Sequence, residues 1–177
     1  MDILHWISVV TIAAFTATAA VIDWRTRKLP NWLTVPVCIC GLVFHTVTSG
    51  FVGAGFSLAG FATGFAILLI LWLIGGGGGG DVKLMGALGA WLGPQMILIV
   101  FLVSTILAVF GSIIMMAFFS AEHGVTGMKR KYINRKDTSR LTDEEITKQR
   151  TKRRLLPYAL PVAFGTWLVL AWQIVNQ

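Results

Sequence analysis

The chain has 177 residues, 55% of them hydrophobic, with a mean hydropathy of +0.74. A water-soluble globule does not carry that much apolar sequence, so the composition points to a single membrane-embedded domain, residues 1–177. The net charge of +7 would suit nucleic acid, but Lys and Arg occupy three places only: Arg25 to Lys28, Lys83, and Lys129 to Arg154. That clustering is what cytoplasmic loops between spans produce, and no aromatic-interleaved basic fold accompanies it. Nucleic acid is excluded as a partner, and the expected surrounding is the lipid bilayer.

The first apolar run, Ile3 to Ile22, has Asp2 before it and the basic cluster after it. Those are the wrong flanks for a cleaved signal peptide, so it reads as a retained helix ending in the cytoplasm. Its inner end carries Asp23-Trp24-Arg25-Thr26-Arg27-Lys28-Leu29-Pro30-Asn31, and Pro30 closes the helical region. A second span, Trp32 to Thr48, tolerates Pro36 as a kink, and Ser49-Gly50 with Gly53 to Gly55 reads as a short external turn. A third span, Phe56 to Ile74, returns inward with Gly60 and Gly64 at a spacing suited to close helix contact.

Six glycines, Gly75 to Gly80, then run into Asp81-Val82-Lys83. The following apolar stretch, Val82 to Leu92, is shorter than the roughly 20 residues of an ordinary span and ends at Gly93-Pro94. Asp81 and the basic stretch after Ser120 should share the cytoplasmic side, so the chain between them must cross an even number of times. Val82 to Leu92 therefore has to cross as a short or sunken fourth span, with Met96 to Phe119 as the fifth. Residues 121–154 form a loop with eleven basic and five acidic residues. Within it, Thr142-Asp143-Glu144-Glu145 is a capping-box pattern opening a helix to Arg153, suited to rest on anionic headgroups. A sixth span, Leu155 to Val175, completes an all-α bundle of six transmembrane helices with both termini outside.

The chemistry narrows quickly. Cys38 and Cys40 match no CxxC metal pattern, and His5, His45 and His123 are scattered, so neither metal nor cofactor is expected. The glycine run is followed by Asp81 where a phosphate-binding loop needs lysine, which argues against a nucleotide. Of the eight acidic residues, only Asp23 and Asp81 lie outside the terminus and the basic loop, and both adjoin span ends on one side. An ionisable group at membrane depth is a functional candidate. Two carboxylates brought together cannot both ionise easily, so one keeps a proton while the other serves as base. Such a pair can activate water and protonate a leaving amine. Spacing alone leaves a second reading open, in which Asp23 pairs with Arg27 and Asp81 pairs with Lys83 or caps a helix. A transport or assembly protein using the same aspartates for a cation or proton is the alternative function.

Gly78-Gly79-Gly80-Asp81 followed by Lys83-Leu84 resembles the GxGD signature of type IV prepilin peptidases, and Asp23 before Leu29-Pro30-Asn31 resembles their first catalytic motif. The resemblance covers the hydrophobic body of the chain. It implies a membrane aspartic endopeptidase with Asp23 and Asp81 as the catalytic pair, alternating as base and acid. Gly78 and Gly80 become signature glycines, Pro30 and Asn31 supporting residues, and Lys83 a modulator of Asp81. The implied substrate is a pilin-like precursor with a short basic leader, a glycine and an apolar helix. Arg25, Arg27, Lys28 and Lys83 are either topogenic charges or contacts to an acidic residue of that substrate. Larger family members carry a cytoplasmic domain with paired CxxC motifs and N-methylate the new terminus. This sequence has no CxxC and no room for that domain before Asp23, so it is similar to the short peptidases of tight-adherence pilus systems or archaeal preflagellin peptidases. Presenilin-type proteases share GxGD, but their Pro-Ala-Leu motif is only approached by Tyr158-Ala159-Leu160-Pro161.

Overall fold

The computed structural model describes residues 3–26, 29–74, 78–133 and 158–176. Their regular structure is helical throughout: α1 (Ile3–Thr26), α2 (Asn31–Leu73), α3 (Gly79–Ile133) and α4 (Ala159–Val175). Among the described residues, three stretches are long and apolar enough to cross a membrane, namely Ile3–Thr26, Asn31–Leu73, and Gly79–Met115 within α3; α4 is a shorter apolar helix. The chain divides into two compact units, Met1–Leu107 with Pro157–Gln177, and Ala108–Leu156. The core and the candidate site belong to the first.

In the second unit the helix runs on to Ile133, past Phe119, where the fifth span was expected to end. No proline interrupts residues 120–133, so nothing in the local sequence forces a stop. The rest of the expected basic loop, residues 134–154, with its helix from Thr142 to Arg153, lies outside the described residues, as do Arg27, Lys28 and Gly75 to Gly77.

A straight α2 of 43 residues would reach about 65 Å at 1.5 Å per residue, roughly twice a bilayer's hydrocarbon core. It is not straight. Gly50 has φ 62°, ψ −143°, a conformation glycine adopts without strain. Beyond it, the space where Gly53 would carry a Cβ is filled by the carbonyl of His45 and the Cβ of Ser49. Residues eight apart in one helix cannot touch that way, so α2 doubles back at Gly50. The same holds for α3 at Gly93, whose φ is 76°. A Cβ on Gly64 would meet Met85 and Ile97 together, residues that a continuous helix would hold about 18 Å apart.

These reversals wrap neighbours around the first part of α3. From Asp81 to Gly93 every residue except Lys83 is buried, and Leu84, Met85, Leu88, Ile97 and Val100 are among the fully buried side chains. Small residues permit the approach: a Cβ on Gly60 would strike the Gly89 carbonyl, and one on Gly89 the Gly60 carbonyl. The Gly60/Gly64 spacing is thus a backbone-to-backbone contact. At the far end of this stretch the Trp91 indole donates to the Val37 carbonyl (2.8 Å), Ser57 donates to the Ala90 carbonyl (2.8 Å), and His45 Nε2 lies 3.0 Å from the Trp91 carbonyl. Gly41 makes room for the indole, since a Cβ there would sit 2.8 Å from Trp91 Cδ1.

Around the apolar core, burial departs from that of a soluble protein. Phe51, Val52, Val47, Ile3 and Trp32 are exposed, while Thr16, Thr34, Ser57, Ser104 and Thr166 are buried along with two carboxylates. In lipid, apolar side chains gain nothing by hiding, and association relies on close packing and internal hydrogen bonds. Thr16 and Thr166 both satisfy their hydroxyls on helix carbonyls one turn back. The protein is a membrane protein.

Candidate active site

Asp23 lies on α1 itself. The helix continues through Thr26, a turn beyond the expected end of the span, and its buried face runs Ile12, Phe15, Thr16, Ala19, Ala20, Asp23. Steps of three and four residues keep these on one face, so the carboxylate ends a stripe packed against other helices rather than entering a loop. It is 7% exposed. The partner of that face is α4, with which α1 makes an extended contact. Trp167 on α4 donates its indole N–H to Thr16 Oγ1 (2.9 Å). One helical turn and a few residues further on, the Ala159 amide donates to Asp23 Oδ2 at 3.2 Å, in a buried setting. Ala159 is the first residue of α4, so its N–H has no acceptor within the helix and is available to an anion.

Asp81 is seated differently. It stands in the first turn of α3, 6% exposed, two residues after the helix begins at Gly79. Its Oδ2 accepts the Gly78 amide at 3.1 Å, while its own amide donates to the Gly78 carbonyl at 3.0 Å. This is the back-reaching half of a capping box, with the carboxylate at the favourable positive end of the helix. The adjoining Gly80 packs on Leu29, whose Cβ would be 3.3 Å from an added Cβ.

That contact brings in the segment after Asp23. Leu29 is buried, and Pro30 caps α2 in an extended conformation (φ −75°, ψ 145°), its carbonyl accepting the amides of Leu33 and Thr34. Asn31 then opens α2, and its Oδ1 accepts a 2.7 Å hydrogen bond from Lys83 Nζ. The Leu29-Pro30-Asn31 and Gly-rich segments are therefore joined twice, by Leu29 on Gly80 and by Asn31 on Lys83. The Lys83 amine, two residues after Asp81, is thus held by Asn31.

The Ala159 amide that Asp23 accepts follows Tyr158, the cap residue of α4, which packs against the hydrophobic core. Alongside, a shallow surface recess is lined by Ala20, Val21, Trp24, Arg25 and Leu160. Among the described residues no cluster of three or more His, Cys, Asp or Glu could hold a metal ion. Cys38 and Cys40 are free thiols on α2.

The sequence profile of the type IV leader peptidase family matches residues 10–120, well over half of the chain. The chain belongs to that family. Relatives named prepilin leader peptidase/N-methyltransferase come from Neisseria gonorrhoeae (32% identical over 119 residues, 62% of this chain and 41% of the relative), Escherichia coli K12 (35% over 99 residues, 52% and 44%) and Aeromonas hydrophila (41% over 96 residues, 50% and 33%). The chain thus spans less than half the length of these relatives. No solved structure gives a significant match.

Asp23, Pro30, Asn31, Gly78, Gly80, Asp81 and Lys83 all fall inside the region matched by the family profile. The resemblance read from the motifs is the one the family match establishes. Sequence reading did not anticipate the Ala159 amide at Asp23 or the place of Tyr158. A backbone N–H has no sequence signature, and Tyr158 follows the matched region by 38 residues (158 minus 120).

Proposed function

We propose that this chain is a membrane-embedded aspartic endopeptidase that removes the short basic leader from type IV pilin-like precursors. The observation that carries this reading is the pair of buried carboxylates, Asp23 at the end of α1 and Asp81 at the start of α3. In water a carboxylate is cheap. Buried in a membrane protein it is costly unless bonded, and two near one another favour a single shared proton. The ionised carboxylate takes a proton from water as the water oxygen adds to the scissile carbonyl carbon. The protonated one then gives its proton to the departing amine, and the roles reset. The mechanism calls for no metal and no cofactor, and the proposal covers cleavage alone.

In this reading the two arms of α2, residues 31–49 and 51–73, are the second and third of six spans. The stretch 79–92, buried from Asp81 onward except at Lys83, is the short fourth, residues 94–115 the fifth and α4 the last. The positive-inside distribution of Lys and Arg supports carboxylates at the cytoplasmic face of the inner membrane and both termini outside. Residues 1–177 act as one peptidase domain, with residues 121–154 as its basic cytoplasmic segment. The precursor's apolar helix lies among the spans and its leader stays in the cytoplasm. Co-expression of wild type, Asp23→Asn and Asp81→Asn with a candidate prepilin tests the reading. Leader retained in both folded variants and lost with wild type upholds it; cleavage by either folded variant overturns it and favours ion or proton binding by the same aspartates.

A further inference from the structure

Asp23 is held by a distant part of the chain, and the seam that carries this contact has two polar fastenings. One is the Ala159 amide on Asp23 Oδ2, at 3.2 Å. The other is the Trp167 indole N–H on Thr16 Oγ1, at 2.9 Å. The direction of the second is fixed by chemistry. An indole nitrogen only donates, and the single Thr16 hydroxyl proton is turned to its own helix, towards the carbonyls of Ile12 (2.8 Å) and Ala13 (3.0 Å). The lone pairs of the oxygen are left for Trp167. Thr16 is 1% exposed and Trp167 40%, so part of the indole faces outward, where lipid offers its N–H no acceptor. Phe164 meets the ring edge-on, with centroids 5.8 Å apart, and helps to orient it.

The two fastenings match in height. The step forward from Thr16 to Asp23 on α1 answers the step back from Trp167 to Ala159 on α4, so the helices run antiparallel along the seam. At 1.5 Å per residue these steps span about 10.5 Å and about 12 Å. Between them stand Ala19 and Ala20 on α1 and Ala163 on the 159–163–167 stripe of α4, all buried. Small side chains let two helices approach but present nothing large to stop one sliding along the other. Directional bonds do that. The Ala159 bond already lies at the long end of the usual range, roughly 2.7–3.2 Å, and has little slack.

We propose that Trp167 is a positioning residue for Asp23: its indole N–H on Thr16 sets the height of α4 along α1, and that height keeps the Ala159 amide on the carboxylate. This rests on the paired-aspartate reading above. A carboxylate that works as acid or base must meet its partner within hydrogen-bond distance. A loosened seat therefore lowers the rate of the chemical step more than the binding of a substrate held by its apolar helix.

The test uses the full-length protein in nanodiscs with a synthetic prepilin carrying a basic leader, a glycine at the cleavage point and an apolar helix. Trp167→Phe removes the N–H and keeps an aromatic ring; Thr16→Val removes the acceptor and keeps the shape. Each is expected to lower kcat about tenfold while KM stays within about twofold, and the double variant should lose little more than either alone. Carbodiimide labelling should change at Asp23 and stay as in wild type at Asp81. Thr16→Ser keeps the acceptor and should hold kcat within about twofold of wild type; a loss equal to that of Thr16→Val overturns the proposal. So does a folded Trp167→Phe with kcat within about twofold of wild type, with only KM raised, or with equal labelling changes at both aspartates. Where Trp167→Phe does not fold, benzothienylalanine at position 167 exchanges the N–H for sulfur at nearly constant shape. A kcat loss then supports the proposal, and a kcat within about twofold of wild type overturns it. Asp23→Asn and Asp81→Asn run beside these variants. Wild-type cleavage by either ends the paired-aspartate reading and the proposal together, whereas the Trp167 and Thr16 outcomes end the proposal alone.

Discussion

The two carboxylates are held by amides of the same kind at nearly the same distance, yet one seat is local and the other is assembled. Asp81 takes the Gly78 amide from three residues away, within a single helical turn. Asp23 takes the Ala159 amide from 136 residues away, across the α1–α4 seam. A local capping box forms whenever its helix forms. A seat built between helices exists only while those helices stay docked, and its geometry inherits every error in their packing. Asp81 should thus be the robust member of the pair and Asp23 the one through which distant changes reach the chemistry.

The largest expected effect falls on both seats equally. Asp23→Asn and Asp81→Asn each remove a proton-exchanging group and should lower cleavage by about a thousandfold, the scale of general acid–base catalysis, with insertion retained. A variant that loses far less would break the symmetry of the pair, and leader cleavage followed by mass spectrometry measures it. Next come the reversals and close approaches that pack the helices. Gly93→Ala places a Cβ into the Phe56 ring at φ 76°. The left-handed conformation alone costs a non-glycine residue about 1–2 kcal/mol, so the melting temperature should fall along with activity. Gly60→Val drives a branched side chain into the Gly89 carbonyl and should cost about 1–3 kcal/mol by overpacking.

Gly165→Val separates the seats. It pushes α4 from Ser104, against which even a Cβ would sit 3.1–3.2 Å away. The displaced Ala159 amide should cost about tenfold to a hundredfold in kcat, because small misplacements of catalytic groups are expensive. Labelling with a carbodiimide, read residue by residue, should change at Asp23 and remain as in wild type at Asp81. Equal changes at both would dissolve the distinction. The smallest effect is expected at the clasp between Asn31 and Lys83, which is exposed and screened by solvent. Lys83→Met should lower kcat/KM only about twofold to threefold, and Asn31→Leu added to it should change little more.

Much of this molecule could be read from residue order. The reversal at Gly50 and the turn at Gly93-Pro94 were visible as glycine and proline between apolar runs, because few other residues adopt those backbone angles. The segment with Asp81 was visible for the same reason, as glycines opening a helix with a carboxylate in its first turn. The boundary at Asp23 was less so. The sequence marked a charged end to the first span, but only the packed α1 face extends the helix through Thr26 and turns Asp23 inward.

Composition and motifs by themselves determined the family, the helical class and the membrane location, since each depends on composition or on spacing within one turn or one span. Tertiary structure alone decided which distant groups meet: Ala159 on Asp23, Leu29 on Gly80, Asn31 on Lys83, Gly165 against Ser104. The physical reason is that hydrogen-bond donors at helix ends are present in every helix. Which acid receives one is set by how closely the helices pack, and that closeness is fixed by the sum of many small contacts at glycines and buried hydroxyls far apart in the chain.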